Sequence, residues 1–293
     1  MILVTAANGN QGRHLLPRLV AAGHRVRAVV RSEDSAEACR RAGAEEVVRA
    51  DLGDPAVWPA LVDGVRSVYH VGPTLSPAER AMGLGLVDAA RRAGVRHFVF
   101  SSVLHAIVTS LVQHEIKRDV EEHLVLSGLA FTILQPTNYM LPLKLRPVLE
   151  RGVFELSWAL DRRQSLVDLA DVADVAVTVL SDPTSHQGAT YELVSPGRFT
   201  GHELAAIAST ALGRRIEARE IDADTYLRAW VGPGDPEDFP HQARVLRSIS
   251  ATYSAHDFVG NPNVLRWLLG REPTTFAEFV AREMSSRSEP VGG

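Results

Sequence analysis

The stretch that decides the fold is VTAANGNQGRHLLPRLVAAGHRVRAVVR, Val4 to Arg31. It opens on an apolar run, passes through a loop of small and amide residues, continues as an amphipathic helix and closes a second apolar run on an arginine. A glycine-rich turn between a first strand and a first helix presents backbone N–H groups and the positive end of the helix to a pyrophosphate. Gly9 and Gly12 are spaced as the second and third glycines of G-x-x-G-x-x-G, with Ala6 in the first place. Alanine is tolerable there if its φ stays negative, though it narrows the approach. A plain tight turn is the alternative; the preceding strand, the following helix and the second strand favour a dinucleotide. The end of that second strand chooses the dinucleotide. An acidic residue would accept hydrogen bonds from the ribose 2′-OH of NAD, whereas arginine pairs with the 2′-phosphate of NADP. The sequence reads VVRSED, with Arg31 first, and Glu33 and Asp34 are explained as favourable charges in the first turn of a helix. NADP(H) is therefore preferred over NAD(H), the alternative being that Arg31 is an ordinary solvated side chain.

Outward from this stretch, short β-rich runs alternate with helical patterns, as expected when each strand of a parallel sheet is followed by a crossover helix. Strands are expected at 2–5, 25–30, 46–49, 67–71, 97–101 and 130–135, and helices at 12–22, 35–42, 55–62, 77–93 and 113–127. Gly23, Gly94 and Gly128 fall where helices stop in a left-handed cap. These units are too few for an eight-fold barrel and predict an α/β doubly wound parallel sheet, a Rossmann fold. After Pro136 the rhythm changes: SLVDLADVADVAVTVLSDP reads as a strand entering a helix, ATYELVS as a strand, and TGHELAAIASTALGR as a helix capped by Thr200 and Glu203. The expected organisation is a dinucleotide-binding domain at 1–136, a smaller, partly helical substrate lobe interwoven with the sheet edge at 137–284, and a flexible tail at 285–293.

The chain has 293 residues, is 45% hydrophobic and carries a formal charge of −4, with Lys and Arg scattered rather than gathered into a stripe. That distribution speaks against nucleic acid or an anionic membrane as partner and for a small-molecule substrate, while leaving homo-oligomer formation open. A single cysteine, Cys39, excludes an internal disulfide and fits a reducing compartment. No window approaches the ~18 apolar residues of a membrane span, and MILVTAA lacks a charged leader, so a cytoplasmic protein is expected. The eleven histidines show no metal-ligand spacing, and no metal is expected.

Several segments, taken in order, resemble the NmrA-like NAD(P)-binding proteins among the atypical short-chain dehydrogenase/reductases. They are TAANGNQGRHLL for the usual T-G-A-T-G-x-x-G loop, VRAVVRS, ADLGDP, YHVGP, GVRHFVFSSV, KRDVEEHLVLSGLAFTILQPTNYM, DLADVADVA and LGREPTTFAEFV. The resemblance implies that Gly9, Asn10, Gln11 and Gly12 hold the pyrophosphate, that Arg31 and Ser32 face the adenosine phosphate, and that Asp51 and Leu52 border the adenine. It places Gly72 and Pro73 beside the nicotinamide ribose and adds Thr5, Asn8, Ser101, Lys117 and Pro136 to the cofactor's surroundings. For Asp51 a turn or cap role before GDP is equally open.

Ordinary members of the wider superfamily use Tyr-x-x-x-Lys, the tyrosine donating a proton. Here the matching lysine is Lys117, and Gln113 stands four residues earlier. An amide has no titratable proton near neutral pH and cannot replace tyrosine as general acid. Lys117 can still bind the ribose or, partly desolvated, transfer a proton; a surface pair at helical spacing with Glu121 is the alternative. Ser101 and Ser102 occupy the place of the superfamily's serine, and Ser102, Tyr139, His105 and His114 are further candidates for hydrogen bonding or proton donation. The leading expectation is an NADPH-dependent reductase, an oxidoreductase passing hydride to a carbonyl, quinone or activated alkene. A catalytically silent dinucleotide sensor and a non-redox isomerase or cyclase are the alternatives. Trp158, Tyr226, Trp230, Phe239 and Trp267 either shape an apolar substrate pocket or belong to the core.

Overall fold

Ile2, Leu3 and Val4 are all buried, so the first strand must be covered on both faces, the condition of a central parallel strand. A computed structural model describes residues 1–73, 75–232 and 235–288. In its first half the chain alternates strictly: β1 Ile2–Val4, α1 Gly12–Ala21, β2 Val26–Val30, α2 Glu33–Arg41, β3 Glu46–Arg49, α3 Trp58–Val62, β4 Ser67–Val71, α4 Glu79–Arg92, β5 His97–Ser101, α5 Val112–Leu126 and β6 Phe131–Pro136. Then follow β7 Asn138–Met140, α6 Arg146–Arg151, β8 Val153–Leu156, β9 Leu166–Asp168, α7 Leu169–Ser181, α8 Pro183–His186 and β10 Ala189–Leu193. The chain continues through α9 Gly201–Leu212, β11 Glu217–Glu220, α10 Ala223–Val231, α11 Pro240–Ala255, α12 Asn263–Leu269 and α13 Phe276–Ser288.

Seven strands form one sheet in the order β10-β6-β5-β4-β1-β2-β3, and every adjacent pair is parallel. The order reverses between β1 and β4, which opens a crevice beyond their carboxyl ends, where doubly wound sheets bind ligands. The expected glycine stops hold, with Gly23, Gly94 and Gly128 at φ of 82°, 69° and 80°. Thr200 and Glu203 form a capping box at α9. The stretch 55–62 splits into a 3₁₀ turn at Pro55–Val57 and then α3.

The second half shares the sheet: β10 is the strand beyond β6, and α7 packs on α1. Two buried carboxylates tie the C-terminal helices to it. Asp168 caps α7 at the Ala170 N–H and accepts from Arg282 of α13 at 2.7 Å. Asp171 accepts from Arg271 at 2.7 Å and from the Thr274 N–H at 2.6 Å. Helix α13 runs through Ser288 and so takes in the first residues of the segment expected as a tail, and residues 289–293 lie outside the described residues. No described helix is long and apolar enough to cross a membrane.

Candidate functional site

The turn from β1 into α1 closes on itself, the Gly9 N–H donating to the Ala6 carbonyl at 2.8 Å. Gly12 has no room for a side chain, since a Cβ there would come within 2.4 Å of the Ala6 and Ala7 carbonyl oxygens; at Gly9 it would come within 2.9 Å of the Ala6 oxygen. The tight turn bares the N–H groups of Asn10, Gln11 and Gly12, which find no acceptor among the described residues. This is a cradle of the kind that grips a diphosphate. One expectation fails here. Ala6 lies at φ 48°, in the left-handed region, where the T-G-A-T-G-x-x-G loop that this stretch resembles has a glycine and the alanine Cβ costs energy.

On the adenosine side, Arg31 follows β2, is exposed, and makes no hydrogen bond or ion pair among the described residues. Glu33, two residues farther along the chain, accepts from Arg40 and Arg49 at 2.8 Å each, and those hydrogen bonds hold it below the usual carboxylate range. Ser32 caps α2 through the Ser35 N–H, and Asn8 of the turn donates to Ser35 Oγ at 3.1 Å, which ties the turn to the start of α2. Asp51 accepts from the Gly53 N–H at 2.9 Å, the turn role, while the Leu52 carbonyl accepts from the Trp58 indole.

The inner end of the crevice is built from β4, β5, α4 and α5. Lys117 is 4% exposed, and its ammonium lies 2.6 Å from Oε1 of Glu79 in the first turn of α4, itself 2% exposed. The expected alternative of a surface pair with Glu121 is thereby corrected: α5 packs this face on α4 and the sheet, and Glu121 instead accepts from Gln135 at 2.8 Å. Gly72, just past β4, leaves room for the Glu79 carboxylate, since a Cβ there would meet Oε1 at 2.7 Å. The Lys117 ammonium sits 5.4 Å from the centre of the Phe100 ring, on which the His70 ring stacks. Burial, and then the Lys117 charge, pushes His70 down to about 3; burial lowers His114 to about 4 against the opposing hydrogen bond to the His105 carbonyl. Both imidazoles are neutral near pH 7. Gln113 is buried with its Oε1 unpartnered.

The resemblance implies a place for Gln11 at the pyrophosphate, and the turn leaves its backbone N–H bare for one. The Gln11 side chain turns inward: Oε1 accepts from the Tyr69 hydroxyl at 2.6 Å, and Nε2 donates to Ser101 Oγ at 2.8 Å and to the Tyr139 hydroxyl at 2.6 Å. Only its backbone N–H is left for a phosphate. Burial pushes the Tyr139 phenol up to about 12, with its bonds to Gln11 and Ser101 opposing. Thr5 likewise uses its hydroxyl on β4, accepting from the Val71 N–H at 2.9 Å and meeting His70 Nδ1 at 3.0 Å. Ser102 is buried with no aligned hydrogen bond, and Pro136 is buried at the end of β6. Pro73 turns the chain after Gly72, its carbonyl accepting from the Ser76 N–H.

The other candidates are scattered. His105, at φ 55°, faces Val259 and Glu192. Trp158 is buried beside a cavity of about 20 Å³, room for one water. Tyr226 and Phe239 pack with Leu75 under α10 and α11, Trp267 is 73% exposed, and the Trp230 side chain lies outside the described residues. The residues that sequence reasoning missed are Glu79, Tyr69 and His70. Each sits in an ordinary helix or strand pattern, and nothing local marks it.

A family model described as the NmrA-like family matches residues 1–280. The chain is 32% identical over 287 residues to the NAD(P)H azoreductase of Xenophilus azovorans, covering 96% of each. It is 26% identical over 287 residues to quinone oxidoreductase 2 of Escherichia coli (strain K12), covering 96% of this chain and 98% of that one. The solved structure of the E. coli NADPH-dependent quinone oxidoreductase complexed with NADPH superposes at a TM-score of 0.82 and 27% identity, over 97% of this chain and 100% of that one. The likeness thus runs through the sheet and the C-terminal half alike, and the chain belongs to the NmrA-like family of atypical short-chain dehydrogenase/reductases.

Proposed function

We propose that the chain is an NAD(P)H-dependent oxidoreductase that prefers NADPH and reduces a quinone, a carbonyl, an activated alkene or a related conjugated acceptor such as an azo compound. The observation that carries this reading is the pairing of a glycine-lined cradle at β1 with a buried ammonium, Lys117, across the β1–β4 crevice. Bound there, a reduced nicotinamide supplies a hydride. The N–H groups of Asn10, Gln11 and Gly12 and the start of α1 hold the diphosphate. Arg31, unpaired and exposed, meets the 2′-phosphate, while Glu33 is held by two guanidiniums and is a poor acceptor for a ribose hydroxyl. Gly72 and Pro73 border the nicotinamide ribose, and Lys117 donates to its hydroxyls. Residues 137–284 close the acceptor's side of the crevice.

Gln113 cannot deliver a proton, and Tyr139 and Ser102 are the hydroxyls that this reading offers in its place. This favours acceptors whose reduced form takes its proton from water, quinones above all. The test is NADPH consumption with a panel of quinones, azo dyes and aldehydes. Turnover of a quinone that falls at least tenfold in Lys117→Ala supports the reading; turnover undisturbed by that change removes Lys117 from the mechanism. The amide at Gln113 also favours a second reading, a dinucleotide-responsive regulator, which binds NADPH and turns over none of the panel.

A further inference from the structure

Two charges face each other at the bottom of the crevice with almost no water around them. Glu79 and Lys117 come from different helices, α4 and α5, and each is nearly inaccessible. Such a pair is a poor source of stability, because the cost of desolvating both ions offsets most of their attraction. Neither Glu79 oxygen makes an aligned hydrogen bond among the described residues, so its contact with the ammonium is chiefly electrostatic. His70 and His114 are neutral; Glu121, one turn along α5 in a bond with Gln135, also feels the Lys117 charge but makes no ion pair with it.

The pair's setting gives it a direction. Glu79 fills the space that Gly72 leaves at the end of β4, and the Phe100 ring closes the other side of the ammonium. The negative charge of Glu79 also reaches Tyr139 and adds to the rise of its phenol. Lys117 is thereby confined between an anion and a ring face. An ammonium has three donors; with Glu79 holding it chiefly by charge, two of them are enough for a vicinal diol such as a ribose 2′,3′-hydroxyl pair.

Resting on the dinucleotide reading above, we propose that Glu79 is the positioning residue of the site: it fixes the Lys117 ammonium where the nicotinamide ribose takes two of its hydrogen bonds. Glu79 touches neither cofactor nor acceptor and acts through Lys117 alone. Its effect is therefore confined to ligands that carry the nicotinamide half.

The test compares the full chain with Glu79→Gln, Lys117→Met and the double variant, by titration with NADPH and with 2′,5′-ADP, which lacks the nicotinamide ribose. Glu79→Gln is expected to weaken NADPH about tenfold, the loss of roughly one hydrogen bond to a charged group, and to leave 2′,5′-ADP unchanged. In the Lys117→Met background the Glu79 change is expected to add nothing to the loss. NADPH affinity equal to wild type, equal weakening of both ligands, or additive losses would each overturn the positioning role. If Glu79→Gln fails to fold, Glu79→Asp, which keeps the charge and draws it back from the ammonium, takes its place and is expected to weaken NADPH while leaving 2′,5′-ADP unchanged. A wild-type chain that binds neither ligand brings down the dinucleotide reading, and the proposal with it. A wild type that binds both, with an indifferent Glu79→Gln, sinks the positioning role alone.

Discussion

The Gln11 side-chain amide donates to the Tyr139 hydroxyl at 2.6 Å, joining the first strand-to-helix turn to a residue 128 positions farther along the chain. The bond lies beside two more on the same amide, from Tyr69 and to Ser101, so one glutamine holds β4, β5 and β7 together under the turn. Replacing Tyr139 by Phe removes one acceptor while Ser101 stays. The expected cost is about 1 kcal/mol in urea unfolding. Quinone reduction is expected to keep most of its rate, and any carbonyl reduction to fall by about a hundredfold, the usual contribution of a positioned proton donor. Equal losses on both acceptors would remove the phenol as donor.

Arg31 is the residue on which cofactor choice turns. Arg31→Ala is expected to weaken NADPH by about tenfold or more, through loss of a charge-assisted contact to the 2′-phosphate, and to leave NADH unchanged. Fluorescence titration with the two dinucleotides reads this directly. Parallel losses would make Arg31 an ordinary surface residue.

Ala6 is held at φ 48°, where a Cβ is unfavourable and glycine is at ease. Ala6→Gly is therefore expected to raise stability by about 1 kcal/mol, the relieved strain exceeding the added freedom of the unfolded chain. Gly12→Ala, by contrast, drives a methyl into two carbonyls and is expected to abolish NADPH binding. Thermal unfolding and titration of both variants check the contrast.

Buried histidines set an acid limit. Burial lowers His70 to about 3, His97 to about 4 and His114 to about 4, while the unfolded chain titrates near 6.5. Between these values the unfolded state binds the extra protons, so stability is complete above about pH 6.5 and drains away as pH falls toward 4. Each histidine contributes a slope of up to about 1.4 kcal/mol per pH unit in that window. His97→Phe is expected to flatten the slope by one such share, measured by urea unfolding at pH 7, 6 and 5. An unchanged slope would mean that His97 is charged in the folded protein.

What the sequence determined by itself is local or periodic. The alternation of apolar strands with amphipathic helices, the glycine stops at Gly23, Gly94 and Gly128, the Thr200 cap and the glycines at 9 and 12 are legible because their causes act within a few residues of chain. From them follow the doubly wound sheet and the place of the crevice. The tertiary structure alone decided which face of α5 is buried, and so whether Lys117 meets Glu121 on its own helix or Glu79 on the next. It likewise turned Gln11 inward and held Ala6 left-handed, because long-range packing of the turn on β4, β5 and β7 outweighs the local preferences of both residues. Spacing along a chain cannot show which charges will be enclosed together, since that depends on how distant helices pack on the sheet.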